Sequence, residues 1–311
     1  MSTQVFGPVP SRRLGFSLGV DPIPRKYCNF DCVYCQVGKT AHTETERKSF
    51  FDREELVGEV LQHLRKAKAP DIITFSGSGE PTLNKDLGWM LRELKRKTKT
   101  QLAVITNGSL LLQEDVRADL SEADIVLPSL DAVCEETFGR INRPHPSISI
   151  DDVVKGLQAF RSAYKGRIWL EIMFVKGVND TPEELEKFRK VLGSISAEKI
   201  QLNTITRPPR DKAAEPLEPS QLTRINQMLG DRCEIICGFD KRSEALGIDD
   251  WVASVLDILE RRALTIDDVV SVTGIGRDEA AERLKRLEEQ QRLRTVQQNG
   301  TLYYAQKEIS E

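Results

Sequence analysis

KYCNFDCVYCQVG, residues 26–38, sets Cys28, Cys32 and Cys35 within eight positions, and the next cysteine is Cys134. Three thiols are one short of the four ligands of a tetrahedral zinc site and of the four iron corners of a cubane cluster. Either a distant residue completes the set, or the fourth position is left open because chemistry happens there. His42 is the distant candidate for zinc, in a C-x3-C-x2-C-x6-H spacing that matches no familiar finger.

The cysteine loop follows a short apolar run, FSLGVD (16–21), and from there the chain alternates between such runs and amphipathic segments. The runs are DIITFS (71–76), QLAVIT (101–106), DIVLPS (124–129), IWLEIMF (168–174), KIQLNT (199–204) and CEIICGF (233–239). Between them lie helical segments such as 53–68 and 181–194, the latter opening on Asp180-Thr181-Pro182 as a capped helix start. This is the pattern of βα units around a parallel sheet. Six or seven such units fall short of a closed eight-stranded barrel, so the expected class is α/β, a partial (βα)6-type TIM barrel spanning residues 1–240.

The texture changes beyond about residue 241. The segment reads as three helices followed by two short strands around Asn299-Gly300, a hairpin turn signal. That order predicts a small winged helix-turn-helix-like domain over 241–311. Residues 251–311 carry 11 acidic and 9 basic side chains, so the segment lacks the basic surplus of a DNA reader and fits a docking role better.

The bulk composition agrees with an enzyme core. At 311 residues and 39% hydrophobic content the chain can bury a large α/β domain, and its formal net charge of -3 creates no global field for nucleic acid. No uncharged apolar run approaches the roughly 20 residues of a membrane span, and the first residues have no apolar core of a signal peptide. Six cysteines without a secreted-scaffold spacing point to metal binding or catalysis in the reducing cytoplasm.

In a barrel of this kind the loops after the strands build the site, and several carry chemistry-bearing residues. The second run ends in SGSGEPTL (76–83), the third in TNGSLL (106–111), the fourth in PSLDA (128–132). Small residues let backbone approach a ligand, and a carboxylate suits an ammonium; Asn, Ser and Asp are also ordinary turn and cap residues. With Tyr34 directly before the third cysteine, the loop resembles the C-x3-C-xΦ-C motif of the radical S-adenosylmethionine (radical SAM) superfamily, and the later segments match in order.

The resemblance implies a [4Fe-4S] cluster on Cys28, Cys32 and Cys35, with S-adenosylmethionine on its open iron. It implies that the reduced cluster cleaves that cofactor to methionine and a 5'-deoxyadenosyl radical, which takes a hydrogen atom from substrate. Tyr34, Ser78, Gly79, Glu80, Asn107, Ser129 and Asp131 become cofactor-binding candidates, and a reductant such as flavodoxin or ferredoxin becomes a partner.

A finer resemblance, to Fe-S oxidoreductases related to the wyosine-forming enzymes of transfer RNA, rests on residues 8–21, 129–144 and 201–209. It implies an anionic substrate, an RNA base first, with a peptide or protein recruited by the C-terminal segment as the alternative. Arg140, Arg143, Arg207 and Arg210, placed after the fourth and sixth strands, are the candidate substrate-binding cations. Cys134, Cys233 and Cys237 are candidates for an auxiliary Fe-S cluster or for small apolar core residues.

Overall fold

The computed structural model describes residues 4–66, 69–236 and 251–307. The strands of the first part are β1 (Val5–Ser11), β2 (Gly15–Val20), the short β3 (Tyr27–Cys28) and β4 (His42–Thr43), β5 (Ile72–Phe75), β6 (Gln101–Thr106), β7 (Ile125–Pro128), β8 (Arg167–Phe174), β9 (Lys199–Thr204) and β10 (Cys233–Ile235). Its helices are α1 (Arg53–Lys66), α2 (Leu87–Lys97), α3 (Glu114–Leu120), α4 (Glu135–Ile141), α5 (Ile150–Ala163), α6 (Pro182–Ser194) and α7 (Pro219–Leu229).

One eight-stranded sheet runs β1-β2-β5-β6-β7-β8-β9-β10. From β2 onward every neighbouring pair is parallel. The sheet order is that of an open α/β barrel. Its strands are buried on both faces: all four residues of β5 and of β7 are inaccessible, because helices cover one side and barrel-lining side chains the other. That double burial is why these segments read as continuous apolar runs rather than alternating ones.

Local rules place the helix ends. Thr181 caps α6 by accepting a hydrogen bond from the Glu184 amide, with Pro182 at the first turn. The basic run 92–99 ends α2, whose last turn carries Lys95, Arg96 and Lys97 where cations complement the helix dipole.

The antiparallel β1 is absent from the expected strand set. Its VFGPVPS sequence contains two prolines and reads as a loop, but an edge strand tolerates residues that cannot donate to the ladder. A bulge between Phe6 and Val9 absorbs them.

The C-terminal elements are α8 (Trp251–Leu259), α9 (Ile266–Thr273), α10 (Arg277–Glu289) and the hairpin β11 (Leu293–Gln298) and β12 (Thr301–Gln306). Asn299 and Gly300 take positive φ of 50° and 73° at the hairpin tip, the conformation their side chains tolerate best. This unit has its own apolar cluster, including Val255, Ile258, Leu264, Val269, Val272 and Leu284, and that cluster also takes in Phe6 and Val9 of β1. The expected junction near 240 falls among residues outside those described. Among the described residues no helix is long and apolar enough to cross a membrane.

Candidate active site

One cavity of about 380 Å³ is lined by residues that follow β2, β5, β6, β7 and β9 and by Glu171, Met173 and Asn203 within β8 and β9. Cys28, Cys32 and Cys35 all face it. Between them Phe30 and Val33, 4% and 6% exposed, anchor the loop in the core, where the Phe30 ring, which also lines the cavity, meets Phe138 edge-on at 5.3 Å. Backbone bonds pin the rest: Val33 N to Ile141 O at 3.0 Å, Asp211 N to Val33 O at 3.0 Å and Arg210 N to Cys35 O at 2.9 Å. Arg210 also pairs with Asp31 at 2.6 Å. It therefore braces the cysteine loop rather than facing substrate.

Burial pushes all three thiols up, Cys32 to about 12; Glu80 and the neighbouring thiols add to the shift of Cys28, and Asp131 and Cys35 to that of Cys32. Amide groups are aimed at all three sulfurs, those of Val37 and Gly38 at Cys35. Asn142 Nδ2 lies 3.4 Å from Cys32 Sγ, while Phe30 N and Asn107 Nδ2 approach Cys28 Sγ at 3.5 and 3.8 Å.

Glu80 lines the same cavity and is 2% exposed. Its Oε1 accepts from Thr82 N, Thr82 Oγ1 and Thr106 Oγ1 at 3.0, 2.6 and 2.7 Å, and its Oε2 accepts from Asn107 N at 2.7 Å. Burial raises its pKa despite these neutral donors. Gly79, beside it, passes so close to the cysteine loop that an added Cβ would lie 1.9 Å from Tyr27 O. Only glycine fits there.

Of the other candidates, Tyr34, Gly79, Asn107 and Ser129 line the cavity, whereas Ser78 and Asp131 do not. Ser78 gives its amide and hydroxyl to Asp21 Oδ2 at 3.1 and 2.6 Å. Asp131, 3% exposed, accepts from Tyr34 Oη, from Asn142 Nδ2 at 2.7 Å and from Met173 N at 2.9 Å. Both hold their neighbours in place instead of reaching the cavity.

The expected ring of cations is only partly realised. Arg207 lines the cavity, but Arg140 is exposed and bonded to Gly177 O at 3.1 Å, and Arg143 pairs with Asp211 at 2.8 Å on the outer surface. Arg140 lies on the last turn of α4 and Arg143 just beyond its C-cap, Asn142. In their stead stand Arg12, Arg13, Arg261 and Arg262. The signal for them lies in two arginine doublets, 12–13 and 261–262, which no local periodicity singles out. Arg13 is paired with Glu171, and Asn203 Nδ2 holds the other oxygen of that carboxylate at 2.9 Å.

Cys134 bonds Thr137 and Glu184 at 3.2 and 3.1 Å, and Cys233 sits in the core on β10, so the two occupy separate settings. Cys237, the third member of the expected auxiliary set, lies outside the described residues. The His42 backbone pairs with Tyr27, and its side chain is outside those described. Among the described residues no three His, Cys, Asp or Glu side chains are drawn together as round one metal ion.

Residues 23–192 match the radical SAM superfamily. The chain belongs to that superfamily. Within it, this radical SAM protein is 34% identical over 285 residues to a UPF0026 protein of Methanocaldococcus jannaschii, covering 89% of the chain and 88% of the relative. It is 37% identical over 305 residues to a protein named GTPase Obg from Brachyspira hyodysenteriae, 97% of this chain but 45% of that relative's length. A radical SAM methyltransferase from Sphaerobacter thermophilus shares the fold, with a TM-score of 0.54 at 18% identity over 70% of this chain and 65% of that one.

A [4Fe-4S] cluster and S-adenosylmethionine are the cofactors of this superfamily, and so of this radical SAM protein. The residues present fit them. Three thiols that burial disfavours as free thiolates, with amides aimed at each sulfur, suit a cationic iron cluster. Glu80 is a buried carboxylate satisfied by neutral donors alone, which suits an ammonium group. An external reductant must supply the electron.

Proposed function

We propose that this radical SAM protein abstracts a hydrogen atom from an anionic substrate, narrowest in form a base of RNA in a wyosine-type modification. When bound, the reduced cluster supplies one electron to the sulfonium, and the cleaved cofactor supplies the 5'-deoxyadenosyl radical. The chain's own part is placement. Cys28, Cys32 and Cys35 hold the iron, Glu80 orients the amino group, and Tyr34, locked by Asp131, walls the cavity against water.

The observation that carries the anionic reading is that cysteines and arginines line one and the same cavity. Two of the three segments that resemble the wyosine-related proteins, 8–21 and 201–209, supply Arg12 and Arg207 to it. We read the described residues 251–307 as a winged-helix-like unit seated on the barrel as a cap, in keeping with the bond from Tyr303 Oη to Thr206 O at 2.8 Å.

The test is anaerobic reconstitution, reduction, and measurement of 5'-deoxyadenosine. Formation that stops in each of Cys28→Ala, Cys32→Ala and Cys35→Ala supports the reading, and its absence from reduced wild type overturns it. For the RNA form, the modified nucleosides of transfer RNA are compared between cells with and without the protein. Identical profiles remove that form and leave a smaller anion.

A further inference from the structure

The arginines of the cavity are not equally compensated. Arg13 has Glu171, Arg261 has Asp21 at 3.1 Å and Asp257 at 2.9 Å, and Arg262 reaches Asp268 at 3.4 Å and Pro10 O at 3.1 Å. Arg12 and Arg207 have no ion pair or hydrogen bond of their guanidinium groups among the described residues, and the Nε atoms of Arg207 and Arg262 are buried without an acceptor. Three chain regions far apart in sequence bring these groups together: the β1–β2 turn, the loop after β9 and the end of α8.

Such a gathering is unfavourable on its own. Burial depresses the pKa of Arg12 and Arg262, to about 10 and about 9, and Arg207 lowers both further, while Glu171 and Asp268 offset only part of the shift. Buried cations without anions are costly, and a protein keeps them where a ligand provides the missing charge.

We infer that Arg12, Arg207 and Arg262 form a subsite for a phosphate monoester dianion on the substrate, roofed by the C-terminal unit. Guanidinium forks match tetrahedral phosphate oxygens, and a monoester carries about two negative charges at neutral pH, enough to balance Arg12 and Arg207. A phosphodiester, with one, leaves a cation uncompensated. The identity of the substrate as a phosphate ester rests on the proposed abstraction from an anionic substrate and takes its smaller-anion form rather than the RNA base, whose internal phosphates are diesters; the subsite rests on the arginines alone.

The experiment titrates the full chain with methyl phosphate, dimethyl phosphate and malonate by calorimetry at fixed ionic strength. Methyl phosphate is expected to bind one to one. Arg207→Gln and Arg12→Gln are expected to weaken it about tenfold or more, the loss of one charge-assisted bond. Arg207→Lys should recover part of the affinity, and Arg140→Gln should change nothing. Dimethyl phosphate is expected to bind about tenfold more weakly than the monoester. Without ligand, Arg207→Gln should melt no lower than wild type, since it relieves repulsion, yet lose the stabilisation that methyl phosphate gives.

Absence of saturable binding in wild type, binding indifferent to Arg207 and Arg12, a diester or malonate bound as well as the monoester, or an Arg207→Gln chain that melts lower overturns the subsite. Formation of 5'-deoxyadenosine is measured on the same preparations. Its loss with phosphate binding intact counts against the proposed activity and leaves the subsite standing.

Discussion

Replacing Arg261 with methionine tests how the C-terminal unit is fastened to the barrel. The Arg261 side chain is 6% exposed and Asp21 only 3%, their Nε and Oδ2 lie 3.1 Å apart, and the guanidinium sits 4.6 Å above the Phe6 ring. Methionine keeps the aliphatic packing on Phe6 but removes the cation. Among the described residues Asp21 is then a buried carboxylate with only Ser78 donating to it, and its Oδ1 already lacks a partner there. Breaking a buried pair from one side costs about 3–5 kcal/mol.

The pH dependence has a definite sign. Burial already raises the Asp21 carboxyl above its ordinary 3.8, and loss of Arg261 raises it further. A carboxyl with a raised folded pKa favours folding below the unfolded value and loses that contribution as pH rises through the folded one. The penalty in Arg261→Met is therefore largest near pH 7.5 and shrinks towards pH 4. Adding Asp21→Asn should recover most of it by removing the stranded charge. Urea unfolding at several pH values, with hydrogen exchange of residues 251–307 as the local readout, measures both effects. Equal losses at pH 5 and 7.5, with no recovery in the double variant, would refute the electrostatic account.

Alanine at Cys28, Cys32 or Cys35 should reduce iron content and 5'-deoxyadenosine to background, while Cys233→Ala retains both, as elemental analysis and chromatography will show. Gly79→Ala forces a Cβ against Tyr27 O, one residue before Cys28, and should cost about 2–3 kcal/mol and lower iron occupancy. Asp131→Asn turns an acceptor of three donors into a mixed group, so thermal unfolding should reveal a loss of about 1–3 kcal/mol even though a charge is removed. Burial pushes the Asp131 carboxyl up to about 6, so wild type should gain stability as pH falls from above 6 towards 4, a slope that Asp131→Asn lacks.

The sheet was legible because double burial writes itself as apolar runs: QLAVIT and KIQLNT coincide with β6 and β9 residue for residue. The cysteine loop was legible because three ligands close in sequence leave a spacing. Contacts that join distant pieces leave none. Asp131 sits beside the rim, and the family resemblance suggested a ligand contact; its oxygens are instead taken by Tyr34, Asn142 and Met173, from three separate elements. Arg12 and Arg262 are separated by 250 positions and meet only because the end of the chain folds back on its beginning. β1 escaped notice because its prolines break the pattern that a central strand must keep.

That return of the chain end onto β1 also sets an order of events during synthesis. Phe6 and Val9 emerge first and find their cover only when α8 and α9 have been made. Until then the first strand presents an uncovered apolar face, a feature by which chains join one another. The last fifth of the protein therefore serves as a built-in chaperone for the first strand, and a chain stopped before Trp251 should accumulate as aggregate rather than as a smaller enzyme.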